Sequence, residues 1–498
     1  MSPESPSGRK DLTPAFVLAG LIILALVLRV WRLGAWGFEA TEMFTLRDSN
    51  QPQLSNPRPI IYFLNYYLVR PFRPLDEFGL RLFPALFGVL AIPTFYLVAR
   101  RLVGTRAALF GALLLTVSSL HVYYSQFARY WSLVFLLTSV YPYAIYLGLR
   151  EGNRRMLVLG LVTGVLAVLA HPISILLVGG LGVWILATYA RRDQLVTLWN
   201  RRAVRWAALA VVVLSAAVVA RFMPMLRGWI SMHDQDPKSG EFMLHLPGNA
   251  GVKQIAYVLS YVDSLTLPLV LAAVLGIYIL WNGRDRSLAL LLGCLAVAPL
   301  VFLVLLSFRA PVSTYYLVPT APVYFIGAGI FLDRLTELDL GIRPRWLLPA
   351  AVVAIIIAAG APTLASQYRD GRRYDFRSVA RWLDQRVGAE DIVFSDQPQV
   401  LAHYLPTMPI QRLSADTTPL TESVQALGRA GHAGSLWLVA PAPAHAFRTN
   451  PKMGSLEGWM YDHCQLRNNV GVSRLDYRQY YLQIYRCPPA LSVSATSR

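Results

Sequence analysis

Charge is scarce in this chain. Only 15% of its 498 residues are Asp, Glu, Lys or Arg, while 55% are hydrophobic. A soluble protein of this length would need more charge to cover its surface, so a freely soluble fold is excluded. Acids are the scarcer sign, 28 against 46 Lys and Arg, for a net charge of +18. In a soluble protein that excess would suggest nucleic acid. Here the basic residues sit mostly in short loops between apolar stretches, where they orient helices, and no nucleic acid is expected as a partner. Contact with membrane lipids, through anionic headgroups or lipid phosphates, is the functional alternative. Cysteine is nearly absent, with three in all. Cys294 lies in an apolar stretch and reads as inert. Cys464 and Cys487 share the final polar segment, where a disulfide is permitted if that segment is outside the cytoplasm. The cysteines fit no metal motif, and no His/Asp cluster has ligand spacing, so neither metal nor cofactor is demanded. No cleavable leader is expected either. The apolar run Phe16–Val30 is accompanied by Arg29 and Arg32 instead of a small-residue cleavage site, which reads as an uncleaved first helix.

What the chain does have is long apolar runs. Mean hydropathy is +0.44, and the runs are long enough to cross about 30 Å of hydrocarbon at 1.5 Å per residue. The expected fold class is a polytopic α-helical membrane protein with about eleven transmembrane helices, at residues 14–31, 78–98, 107–124, 131–149, 156–172, 173–190, 206–223, 262–281, 287–307, 315–332 and 346–365. With the N-terminus inside, every short basic loop falls on the cytoplasmic side, including Arg100, Arg101 and Arg106, Arg150, Arg154 and Arg155, and Arg284 and Arg286. That agreement supports the count, because one missed helix would scramble it. An odd count puts residues 366–498 outside. The expected organisation is a membrane domain at 1–365 and a soluble α/β domain at 366–498. In that second part Ser378–Arg386 has helical periodicity, Asp391–Ser395 and Ser435–Val439 read as buried strands, and Val472–Arg486 alternates aromatics.

Two long loops precede that domain on the outer face. Residues 31–77 include a short apolar stretch, Ile60–Val69, ended by Arg70 and Pro71. It is too short to span and is expected to lie along the membrane surface. Residues 224–251 are polar and rich in Pro and Gly, as in a lid.

The same face gathers the ionisable residues: Glu39, Glu42 and Asp48 in the first loop, then Arg81, Arg129, His171, Arg221 and Arg309 at helix ends. Acids and arginines converging at one interface suit a lipid-phosphate substrate. Arginine forks bind phosphate, and a carboxylate can serve as general base toward an acceptor hydroxyl. Each residue also has a plainer explanation. A single interfacial arginine snorkels, His171 before Pro172 caps a helix end, and Glu39 with Glu42 forms an acidic first turn.

Five segments resemble the GT-C glycosyltransferases of the protein-mannosyltransferase and aminoarabinose-transferase type. Trp36-Gly-Phe-Glu-Ala-Thr-Glu-Met-Phe-Thr-Leu46 is similar to the family's Asp-Glu motif. Arg58-Pro-Ile-Ile-Tyr62 resembles its His-Pro-Pro-Leu-Tyr segment. Leu80-Arg-Leu-Phe-Pro-Ala-Leu-Phe-Gly88 matches the opening of its second helix. Tyr124-Ser-Gln-Phe-Ala-Arg-Tyr130 looks like Ser-Gln-Glu-Ala-Arg-x-Tyr. Tyr315-Tyr-Leu-Val-Pro-Thr-Ala-Pro322 is similar to a late Arg-Tyr-x-x-x-x-x-Pro stretch. They occur in the family's order. The resemblance implies a polyprenyl-phosphate-linked sugar donor and a lipid, glycan or protein acceptor. It further implies Glu39 or Glu42 as catalytic base and a substrate site drawn from Arg81, Tyr124, Arg129, Tyr130, His171, Arg309 and Tyr315. Two positions depart from the pattern. Thr41 stands at the family's catalytic Asp, and Phe127 where a Glu is common. Glu42 matches the family's second acid, which leaves Glu39 as the expected base. A non-catalytic binder or a transporter of lipid-linked sugars is the alternative.

Overall fold

A computed structural model describes residues 13–189, 250–429 and 434–488, apart from positions 57, 284, 309–311, 339–343, 415, 442–452 and 472–480, with scattered backbone positions between 200 and 223. Helices dominate. The first, α1 (Thr13–Val30), is followed by the short α2 (Ala40–Asn50) and by α3 (Pro59–Leu64), which continues as a π turn over Asn65–Val69. This is the short segment expected on the membrane surface; Tyr67, Leu68 and, just beyond it, Phe72 stand exposed. Next comes the long α4 (Glu77–Val103), opened by Asp76, whose Oδ1 accepts the Gly79 N–H at 2.7 Å, an N-cap satisfying one of the helix's orphan donors.

Burial sorts the spans. Trp131–Glu151 is buried over 89% of its central window, against 17% for Thr13–Val30 and 11% for Leu347–Asp370. The first is therefore the axis of the bundle, and the other two are its periphery. Small residues let the helices close up. A Cβ on Gly276 would land 1.9 Å from the Gly327 carbonyl oxygen, so Leu267–Asn282 and Ala321–Glu337 meet backbone to backbone.

Of the eleven expected spans, the described residues support a coarser count. Among the described residues six helices are long and apolar enough to cross a membrane, or up to eight if each of two bent pairs is one span. The reason is local. Thr105–Val117 and Ser119–Ser125 meet at 59°, and Tyr257–Leu265 and Leu267–Asn282 at 89°. Arg154–Ala170 has 17 residues, about 25 Å of helix, and Pro172–Thr188 is also short. The expected span at 206–223 and the loop at 224–251 fall largely outside the described residues.

At the Ser118 bend, where the Leu115 carbonyl accepts the Ser118 N–H at 3.3 Å, a buried arginine adds further donors. Arg29 Nη1 donates to the Thr116 oxygen at 3.1 Å, and Nη2 to that of Leu115 at 3.4 Å and to His121 Nδ1 at 2.7 Å. Such replacement partners are what allow a helix to break within a bundle.

The C-terminal part carries a five-stranded sheet in the order β2-β1-β3-β5-β4, with β1 (Ile392–Ser395), β2 (Ile410–Arg412), β3 (Leu436–Pro441), β4 (Gln465–Val470) and β5 (Leu482–Cys487). β1 runs parallel to β2 and β3, while β5 is antiparallel to both β3 and β4. Period-2 alternation gives each face its own core. Val393, Trp437 and Ile484 pack toward helix Phe376–Asp384, while Phe394, Leu438 and Tyr485 pack with residues of Thr418–Arg429 and Met453–His463. A disulfide joins Cys464 to Cys487; Cys294 is free.

This part sits on the loop between α1 and α4. The Phe38 N–H donates to Tyr404 Oη at 2.7 Å, that hydroxyl donates to Glu77 Oε1 at 2.6 Å, and Arg377 pairs with Glu77. The Phe38 and His403 rings meet edge-on at 5.3 Å.

Candidate functional site

Glu42 lies one turn into α2 and is fully buried. Its Oε1 accepts Arg81 Nε at 2.9 Å and the Ala128 N–H at 2.7 Å. Its Oε2 accepts Arg81 Nη2 at 2.7 Å, Arg373 Nη1 at 2.8 Å and the Glu39 N–H at 3.0 Å. A carboxylate offers about four lone-pair sites, so this one is saturated. Burial alone would raise the Glu42 carboxyl. Arg81 and then Arg373, with the hydrogen bonds from Arg81 and the Ala128 N–H, outweigh burial and hold it down to about 2. Arg81 is spent as completely. Its three remaining N–H groups go to the carbonyls of Leu33, Trp36 and Gly37 at 3.1, 2.9 and 3.0 Å. No donor of Arg81 is left for a phosphate.

Glu39 sits at the N-cap position of α2, half-buried, with Oε2 enclosed and without a hydrogen-bond partner. Burial pushes its carboxyl up and the neighbouring Glu42 adds to this; Arg373 leads the opposing pull, followed by Arg129 and Arg81. Ionisation alone would favour Glu42 as a base. The saturation of its lone pairs reverses that ranking, because a base needs an oxygen within reach of the proton it takes. Thr41, at the position of the family's acid, is exposed and contributes its carbonyl to Arg129.

Arg129 precedes the axial helix. Its Nη1 donates to the Thr41 oxygen at 3.0 Å and Thr45 Oγ1 at 3.2 Å, and Nη2 to Tyr130 Oη at 3.1 Å. The Tyr130 ring carries two guanidiniums, those of Arg129 at 4.8 Å and Arg58 at 4.9 Å, and faces the His171 ring at 4.7 Å. His171 also meets Trp131 at 4.8 Å, and Trp131 meets Tyr315 at 5.0 Å and Tyr124 at 6.0 Å. His171 does cap the following turn, its Nδ1 accepting the Ile173 N–H at 3.1 Å. That acceptor role puts the ring proton on Nε2. Nε2 of His171 and Nε of Arg58 are both buried without a partner.

The structure thus gathers Glu39, Glu42, Arg81 and Arg129 around α2, and Tyr124, Tyr130, His171 and Tyr315 in an adjoining aromatic wall. Arg309 and Arg221 lie outside the described residues. Two cations were missed as site residues. In the sequence Arg58 stands out only as part of the Arg58–Tyr62 segment. Arg373 lies 331 positions from Glu42, beyond the reach of any local pattern.

The chain matches the family described as dolichyl-phosphate-mannose-protein mannosyltransferase over residues 59–222. Among solved structures it is similar to ArnT from Cupriavidus metallidurans in the apo state, at 18% identity and a TM-score of 0.57, covering 95% of this chain and 98% of that one. The same protein bound to undecaprenyl phosphate matches at 17% identity and a TM-score of 0.55, over 95% and 97% of the two chains. The archaeal oligosaccharyltransferase AglB from Archaeoglobus fulgidus, in complex with an inhibitory peptide and a dolichol-phosphate, matches at 12% identity and a TM-score of 0.55, over 87% and 70%. No curated protein sequence matches. At such identities the structural likeness establishes the fold alone, the one shared with ArnT and AglB.

Proposed function

We propose that this protein transfers a sugar from a polyprenyl-phosphate-linked donor to a hydroxyl of a lipid, glycan or protein acceptor. We place the reaction on the outer side of the cell membrane, with residues 1–365 as the membrane domain and 366–498 as a soluble domain on that side. The observation that carries the reading is the pairing of unspent groups. Glu39 Oε2 is enclosed and unpartnered, and Arg129, whose charge acts on Glu39, shares the Tyr130 ring with Arg58 and His171, whose Nε and Nε2 are also unpartnered. A base and phosphate donors are what the reaction needs, and the neighbouring fold is the one that holds undecaprenyl phosphate in ArnT.

In the proposed step the acceptor O–H gives its proton to Glu39. Its oxygen bonds to the anomeric carbon while the bond from that carbon to the phosphate oxygen breaks, and the electron pair leaves with polyprenyl phosphate. Arg58, Arg129 and His171 hold the charge that develops there. The wall of Tyr124, Tyr130 and Tyr315 receives the lipid side. Arg81 and Glu42 are assigned to holding the loop.

The test is release of polyprenyl phosphate from a radiolabelled donor. Glu39→Gln is expected to lose roughly 10²–10⁴-fold in turnover while still binding donor; unchanged turnover would refute the assignment. A wild-type protein that binds such donors without releasing polyprenyl phosphate would be the non-catalytic binder. Movement of intact donor across vesicles would make it a transporter.

A further inference from the structure

The last long helix, Leu347–Asp370, ends at Gly371 in the left-handed region, with φ 72°. The position demands glycine twice over, since a Cβ there would lie 2.5 Å from Trp36 Cγ. Arg372 follows, also at positive φ and with its N–H on Asp370 Oδ1 at 2.9 Å. This tight reversal throws Arg373 back into the loop between α1 and α4. There it is buried, with Nε on the Gly371 carbonyl at 3.1 Å, Nη1 on Glu42 Oε2 at 2.8 Å, and its guanidinium 5.8 Å from the Phe127 ring centroid. Nη2 is enclosed and has no partner. The oxygen that Arg373 grips is the one that also takes the Glu39 N–H at 3.0 Å. One carboxylate oxygen therefore ties the start of the C-terminal part to the backbone of the proposed base.

We propose that Arg373 is a positioning residue for Glu39, fixing its backbone through Glu42 and setting how readily its carboxylate holds a proton. This rests on Glu39 being the base. The charged groups that act on Glu39 come from four places: Glu42 on α2, Arg81 on α4, Arg129 before the axial helix, and Arg373 at the turn. Arg81 is neutralised by its bidentate bond to Glu42, and Arg129 is anchored on Thr41, Thr45 and Tyr130. Arg373 retains an unspent N–H and is the strongest of the cationic influences on Glu39. Phe127 and Arg373 also make one arrangement. Where the related pattern has an acid, this chain has a ring beneath the guanidinium, leaving that charge directed at Glu42 and Glu39.

The test uses the full-length protein and a readout that needs no turnover. A hydrophobic carbodiimide reacts with a protonated carboxyl, so labelling of Glu39 against pH, read by mass spectrometry, gives its titration midpoint. Arg373→Met is expected to raise the midpoint by about one pH unit or more, since an opposite charge has been removed. The acid limb of turnover should move with it. Arg373→Lys, which keeps the charge and loses the fork, is expected to keep the midpoint and lower kcat at nearly unchanged KM for donor. A folded Arg373→Met protein with the wild-type midpoint would overturn the proposal, as would Arg373→Lys with wild-type kcat. If the wild type itself turns over no donor, the labelling midpoints still decide the electrostatic role, and it is the proposed transfer reaction that fails.

Discussion

Two clusters rich in arginine stand next to each other in this protein, one built around a carboxylate and the other around an aromatic ring. Around Glu42, every N–H of Arg81 and both carboxylate oxygens are used. Around Tyr130, Arg58 and His171 each keep a buried nitrogen with no partner. Hydrogen-bond use separates them further: of the groups bonded to Glu42, Arg373 alone keeps a buried nitrogen without a partner. A buried arginine at a membrane face invites a functional reading. The closed cluster shows that such a residue can be wholly occupied with holding a loop. Arg58 Nε and His171 Nε2, unspent beside one ring, are the groups that call for an explanation.

Four measurements would sharpen or break that contrast. The largest effect is expected from Glu42→Gln. It leaves two buried guanidiniums without their counter-charge, at about 3–5 kcal/mol, read as thermal unfolding in detergent. A loss below about 1 kcal/mol would break the comparison. Acid should reproduce part of this in the wild type. The Glu42 carboxyl is held down to about 2 in the fold, below its unfolded value. Its contribution is therefore complete above about pH 4.5 and lost as pH falls through 2, on the order of 3 kcal/mol. A wild-type stability as flat as that of Glu42→Gln between pH 5 and 2 would contradict it.

In the open cluster the expected effects move from stability to binding. Arg58→Ala should weaken donor binding about 10–100-fold, the worth of a charged hydrogen bond. Unfolding should shift little, because no hydrogen bond of the fold to Arg58 Nε is removed. Unchanged affinity would reduce Arg58 to a ring-stacked surface cation. The smallest effect belongs to His171→Phe, which keeps a ring against Tyr130 and Trp131 and removes Nε2–H. About 3–10-fold weaker donor binding is expected for one neutral hydrogen bond; wild-type affinity would leave His171 as the cap of its turn and nothing more.

Much of this architecture was legible because its signals are local. Apolar length marked the helices, and short apolar runs marked Ile392–Ser395 and Leu436–Pro441. β4 was not expected, since Gln-Leu-Arg-Asn-Asn-Val carries no apolar alternation and is held by pairing with β5. The bend at Ser118 escaped notice because no Gly or Pro marks it; its stabiliser is Arg29, some 90 residues earlier. The bend before Leu267 did carry a signal, Pro268. In the site, Glu39, Glu42, Arg81 and Arg129 were visible as a one-sided cluster. Their division of labour was not, because it depends on how many hydrogen bonds each has left. Arg373 was hidden for a further reason: the expected boundary at 365 fell inside a helix that runs on to Asp370.

The reach of Arg373 also sets an order of events during synthesis. Glu42 is made early, and Arg81 follows within seconds. Arg373 comes 331 residues after Glu42, roughly 20–70 s later at ordinary ribosome speeds. Until then the growing chain carries its acidic loop with one of two clamps in place, and the loop cannot take its final form. A ribosome stalled just after Asp370 would leave the last of the described membrane helices written and the loop still unlocked.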